Sequence, residues 1–118
     1  MKEQNVIQEK SYLFALRIIK LHLFLSKKGE YVLSKQVLKS GTSIGANIEE
    51  AIGAQSKRDF FSKITISYKE ARETHYWLRL LRDSEILEIK IANSLIADCE
   101  ELLKIITSIQ KSMKSKGL

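Results

Sequence analysis

Apolar side chains in this chain recur at steps of three and four, and no segment alternates with period two, so helices packed on helices are expected and a sheet is not. Ala92, Leu95, Cys99, Leu102, Ile106, Ile109 and Met113 mark the seam spacing of left-handed bundle packing. Phe60, Ile64, Ala71, Leu78 and Leu81 repeat the pattern in an earlier segment. The chain of 118 residues also contains no proline, where average usage of about 5% predicts roughly six. Proline breaks helix interiors and is common in turns, so its absence favours long helices with few connections.

Four amphipathic segments result, over about 5–26, 31–55, 57–82 and 87–113. The first stops at Lys27, Lys28 and Gly29, basic residues and a glycine being helix-ending signals. Ser56-Lys57-Arg58-Asp59 has the outline of a capping box, with Asp in place of Glu, and opens the third. Asp83-Ser84-Glu85 is the last break. Helices of this length run about 33 to 40 Å, and such short links force neighbours to lie antiparallel. The expected fold is all-α, a single domain over 1–118 forming an up-down-up-down four-helix bundle.

Composition narrows the class. At 44% apolar and 29% charged residues the chain is ordinary for a globular protein and too apolar for a disordered one. The run from Tyr12 to Leu25 is strongly apolar, but Arg17, Lys20 and His22 interrupt it. It is also shorter than the roughly 20 residues a membrane span needs, and no small-residue cleavage site follows. A core helix is expected there, with no membrane association. The single cysteine, Cys99, leaves no intrachain bridge to form, which suits a reduced, cytoplasmic setting.

That first segment is apolar on more than one face. Leu13, Leu16, Leu23 and Phe24 cannot point the same way as Phe14, Ile18, Leu21 and Leu25. A helix that needs cover on two sides predicts an oligomer.

The most unusual stretch lies inside the second helix, from Ser40 to Ala51. Gly41 and Gly45 fall in a helix interior, at about 1 kcal/mol each relative to alanine. Ser40, Gly41, Ser43, Gly45, Ala46 and Ala51 are all small, so close approach of another helix is the expected compensation. A phosphate loop is the sharper alternative, but its Gly-Lys-Ser/Thr ending is missing. Gln36, Ser40, Ser43, Asn47 and Glu50 form a polar stripe beside the apolar one. If Asn47 and Glu50 are partly buried, Lys69, Arg72, Thr74 or His75 are candidate partners; a solvated face is the other reading.

No catalytic, cofactor-binding or metal-binding set emerges. Di-iron bundles use Glu-x-x-His pairs, whereas Arg72 precedes His75 by three and Ile19 precedes His22 by three. Glu70 and Glu73 lie one turn apart, but Lys69 and Arg72 flank them, as in an ion-paired surface. Cys99 occupies a seam position where a buried, inert thiol is expected. Tyr76 and Trp77 read as core or interface aromatics.

The segment Gln36 to Ala51, QVLKSGTSIGANIEEA, together with Asp59-Phe60, Lys69-Glu70-Ala71-Arg72-Glu73-Thr74 and Tyr76-Trp77-Leu78, resembles the four-helix-bundle proteins encoded within intervening sequences of bacterial 23S rRNA genes. The fold is similar to that of the accessory variability determinant proteins of diversity-generating retroelements, which assemble as pentamers and contact reverse transcriptase and nucleic acid. The resemblance implies a homopentamer and supplies no catalytic residue. Ser40, Gly41, Ser43, Gly45, Asn47, Glu50, Glu70, Glu73 and Trp77 carry it as structural markers.

The net charge of +6 sits at the two ends of the chain, with +5 over residues 1–45, −3 over 46–102 and +4 over 103–118. Lys10, Arg17, Lys20 and Lys27 fall on one stripe of the first helix, and Lys104, Lys111 and Lys114 repeat the spacing on the fourth. Antiparallel packing would bring Lys10 near Lys111 and Lys114 and merge the stripes. The expected role is therefore a non-enzymatic oligomer that binds structured RNA or other nucleic acid, or a nucleic-acid-handling partner protein. The alternative is a protein-binding scaffold whose basic residues serve solubility.

Overall fold

The computed structural model describes residues 2–118, and side chains from Gln4 onward. Its elements are α1 (Lys2–Lys27), α2 (Val32–Ile52), α3 (Lys57–Asp83) and α4 (Ile89–Ser115), with no strand among the described residues. They run up, down, up and down in a rod of 47 × 21 × 19 Å, and each helix packs against its two neighbours. No helix among the described residues is long and apolar enough to cross a membrane.

Local chemistry sets the helix ends. Gly29, at φ 84°, reverses the chain after α1, and the Glu30 amide returns to the Leu25 carbonyl at 3.0 Å. Ser56 is extended and its Oγ accepts the Asp59 amide at 3.0 Å, as the capping-box reading expects. Several boundaries differ from the sequence reading. α1 begins at Lys2 rather than about 5 and α4 runs to Ser115 rather than 113, and two further differences have a cause in the turns. α2 stops at Ile52 rather than near 55, because Gly53 and Ala54 turn back onto the carbonyls of Glu49 and Ala51. α4 starts at Ile89 rather than 87, because Leu87 plugs the α3–α4 turn, 2% exposed, with its amide on the Leu81 carbonyl at 3.0 Å.

The core sides match the spacing. Ile64, Ala71, Leu78 and Leu81 of α3 are buried, as are Ala92, Leu95, Cys99, Leu102, Ile106 and Ile109 of α4. On α1, Phe14, Ile18, Leu21 and Leu25 are buried while Leu13, Leu16, Leu23 and Phe24 are exposed, so its two apolar faces are real.

Five hydroxyl side chains, Ser11, Ser34, Ser40, Ser67 and Thr74, are buried inside this apolar frame. Ser67 donates to the Ile44 carbonyl at 2.9 Å, and Ser34 Oγ meets His22 Nδ1 at 2.5 Å. The hydroxyls of Ser40 and Thr74 lie 2.9 Å apart. Among the described residues no buried side-chain nitrogen or oxygen lacks a partner. The buried side-chain to side-chain polar contact between α2 and α3 is thus made by Ser40 and Thr74, beside the Ser67 bond to the α2 backbone. Asn47 donates instead to the Ser43 carbonyl of its own helix at 2.8 Å, and Glu50 is exposed and pairs with Lys63 at 3.2 Å.

Candidate functional site

The glycines of α2 serve packing. A Cβ at Gly41 would lie 2.8 Å from both Ile18 Cγ atoms, and one at Gly45 would lie 3.4 Å from the Ser11 carbonyl oxygen. Both therefore mark where α1 comes against α2. Ser43 Oγ donates to the Lys39 carbonyl at 2.6 Å and is closed within its own helix.

On α3, Trp77 Nε1 donates to Glu73 Oε2 at 3.0 Å, and the Trp77 and Tyr76 rings meet edge to face at 5.2 Å. Partial burial, then the neighbouring Glu73 charge, raises the Glu70 carboxyl, while Lys39 opposes the shift. The ion-paired surface expected around these acids takes another form, since Arg72 donates to the Tyr68 hydroxyl at 3.1 Å.

The basic residues do not come together as one patch. Lys10 reaches Glu101 at 3.3 Å, and Arg17 reaches Asp98 at 2.5 Å and Ser94 Oγ at 3.2 Å. These contacts tie α1 to α4 across the most sparsely packed of the four seams. Two openings of about 320 and 140 Å³ lie along it, the larger floored by Leu21, Leu87 and Leu95. Lys20 and Lys27 stay exposed on α1.

The lysines of α4 fall on the opposite flank, towards α3. Lys104 lines a trough between α3 and α4, and Lys114 sits 5.9 Å from the Phe61 ring centre. Lys111 is exposed, seven residues beyond Lys104, and continues the row. The stripes of α1 and α4 thus diverge, because α4 turns Lys104 and Lys114 to α3 and two of its acids, Asp98 and Glu101, to α1.

The α3–α4 trough encloses about 460 Å³. Arg72 and Arg79 line one wall and Lys104 the other, while Glu100 is the one acid lining it and is held by His75 at 3.0 Å. The Arg72 guanidinium stands 5.9 Å from the Tyr68 ring centre and that of Arg79 5.8 Å from Tyr76. Sequence reasoning missed Tyr68, Arg72 and Arg79 as a group. The available signal was the seven-residue step from Arg72 to Arg79, matched by that from Lys104 to Lys111 on the next helix.

Cys99 is fully buried, with its thiol donating to the Ala71 carbonyl at 3.3 Å. Among the described residues no three His, Cys, Asp or Glu side chains group as a metal site would require.

The description of the 23S rRNA-intervening sequence proteins matches residues 3–108. The chain is also similar to a crystal structure, at 1.70 Å, of a protein with unknown function from the S23 ribosomal protein family of Bacteroides thetaiotaomicron VPI-5482. The two are 48% identical and superpose with a TM-score of 0.90, over 92% of this chain and 98% of the other. Comparison with curated proteins returns no match.

Proposed function

Since this chain belongs to the 23S rRNA-intervening sequence protein family, we propose that it acts as a non-enzymatic, self-assembling scaffold that gathers nucleic acid on repeated basic surfaces. The observation that carries this reading is the outer face of α1. Tyr12, Leu16, Ile19 and Leu23 are 63%, 42%, 41% and 56% exposed and follow one another at steps of four, three and four. That is the spacing of a packing seam turned towards water, and a second copy of the chain is the occupant it suits. Five copies, the number the family resemblance implies, would carry five times +6, or +30. Repetition turns weak attraction for phosphate into useful avidity without any new contact.

Native mass spectrometry and the 260/280 nm absorbance ratio of freshly isolated protein test the two halves of the reading. Assemblies above 13.5 kDa, collapsing to single chains in a Leu16→Glu, Leu23→Glu variant that keeps its helical circular dichroism, are the expected result. Excess absorbance at 260 nm, removed by a high-salt wash, is expected alongside. A parent protein that is a single chain throughout would refute the scaffold.

A further inference from the structure

We propose that single-stranded nucleic acid lies along the trough between α3 and α4, with its phosphates on Arg72, Arg79 and Lys104 and its bases against the Tyr68 and Tyr76 rings. This rests on the nucleic-acid half of the function proposed above and moves the contact away from the α1–α4 seam. At that seam Lys10 and Arg17 are already engaged by carboxylates. In the trough the balance is reversed, because its one lining acid, Glu100, is taken up by His75. Among the described residues Arg72 and Arg79 make no ion pair within 4.0 Å, and both are exposed.

The row of cations continues past the trough. From Arg79 to the level of Phe61, where Lys114 crosses to α3, α3 covers roughly 27 Å at about 1.5 Å per residue. An extended polyanion fits that length and a single nucleotide does not. A duplex is read by a convex element that enters its groove, whereas this surface is concave with cations on both walls. Aromatic faces interleaved with arginines add stacking for unpaired bases of any identity. Tyr76 does not line the trough, but it is 47% exposed and its ring centre stands 5.8 Å from the Arg79 guanidinium, so it offers such a face beside a lining cation. An acidic peptide would use the same cations but gain nothing from the tyrosines.

Fluorescence anisotropy of labelled oligouridine with the full assembled protein tests the proposal. Arg72→Glu with Arg79→Glu is compared with Lys28→Glu and Lys35→Glu, exposed lysines outside both the trough and the apolar face of α1, so that the two pairs change the net charge equally. The trough pair is expected to bind about tenfold more weakly or worse, with the control pair close to the parent. Tyr68→Ala is expected to weaken binding with little change in its salt dependence, and polyglutamate should compete poorly. If the trough pair binds as the parent does, the trough is not the site, although the nucleic-acid reading stands. Preference for duplex RNA, or ready displacement by polyglutamate, overturns the single-strand assignment. No binding of any RNA by the parent at low salt removes both the assignment and the nucleic-acid reading. Should the trough variant misfold, ultraviolet crosslinking of 4-thiouridine RNA to the parent decides the matter. Crosslinks are expected within residues 66–79 or 100–107, the two walls of the trough, and crosslinks confined to other segments overturn the proposal.

Discussion

Arg17 on α1 meets Asp98 on α4 at 2.5 Å while its other terminal nitrogen donates to Ser94 Oγ at 3.2 Å, closing a cation that helix spacing alone leaves free. Both side chains keep substantial exposure, 39% and 46%, and solvent screening limits such a pair to about 1 kcal/mol or less. Arg17→Ala should therefore shift the urea midpoint only slightly. Arg17→Glu should cost more, since it sets carboxylates facing each other across a sparse seam. Equal midpoints for the two variants would mean that the pair does not form in solution.

Gly41 and Gly45 should respond in opposite ways to the same change. Alanine gains about 1 kcal/mol of helix propensity over glycine at either position. At Gly41 the new methyl would meet Ile18 at 2.8 Å, and a β-branched side chain packed between helices has little room to yield. Gly41→Ala should lose about 1 to 3 kcal/mol. Gly45→Ala, with its nearest contact at 3.4 Å, should be neutral or stabilising, while Gly45→Leu should disrupt the α1–α2 contact. Denaturant titrations that show equal losses for both alanine variants would contradict this packing.

The hydroxyls of Ser40 and Thr74 should act as a unit. Thr74 Oγ1 donates to Ser40 Oγ at 2.9 Å and also lies 2.8 Å from the Glu70 carbonyl, so its one proton is shared between two acceptors. Thr74→Val should cost about 1 kcal/mol, and Ser40→Ala with Thr74→Val less than the sum of the singles, because the second change removes a group already without its partner. An additive double-mutant cycle would show that the two hydroxyls are uncoupled.

Cys99 should be chemically silent in the folded protein. Burial, then the Glu100 and Asp98 charges, pushes its thiol from 9.0 up to about 12. Ellman's reagent at about pH 8 should react only after denaturation. The unfolded thiol ionises at lower pH than the folded one, so the stability linked to it is complete below 9.0 and lost as pH rises towards about 12. Rapid native labelling would show that the α3–α4 seam opens.

Much of the fold was legible one segment at a time. The buried seams of α3 and α4, the second apolar face of α1, the Gly29 stop and the Ser56 cap all follow from spacing or local chemistry within a few residues. The α2 and α4 boundaries were not, because Gly53 ends one helix early and Leu87 is drawn into the core, outcomes set by what the turns pack against. Asn47 looked like a cross-helix polar group and bonds within its own turn, while Ser40 and the Ile44 carbonyl of α2 already meet the Thr74 and Ser67 hydroxyls of α3.

The sequence by itself determined an all-α, antiparallel bundle and the buried sides of α3 and α4, because three- and four-residue spacing is a property of one helix. Which of the two apolar faces of α1 turns inward was left to the packing. The rotation of α4 about its own axis belonged to the tertiary structure alone. Packing Leu95, Cys99 and Leu102 into the core leaves Asp98 and Glu101 turned to α1 and Lys104 turned to α3. Charges on one helix cannot reveal which neighbour they will face until side chains from all four helices compete for the same interior. That competition neutralised the α1–α4 seam and assembled Arg72, Arg79 and Lys104 around a trough that neither helix encodes alone.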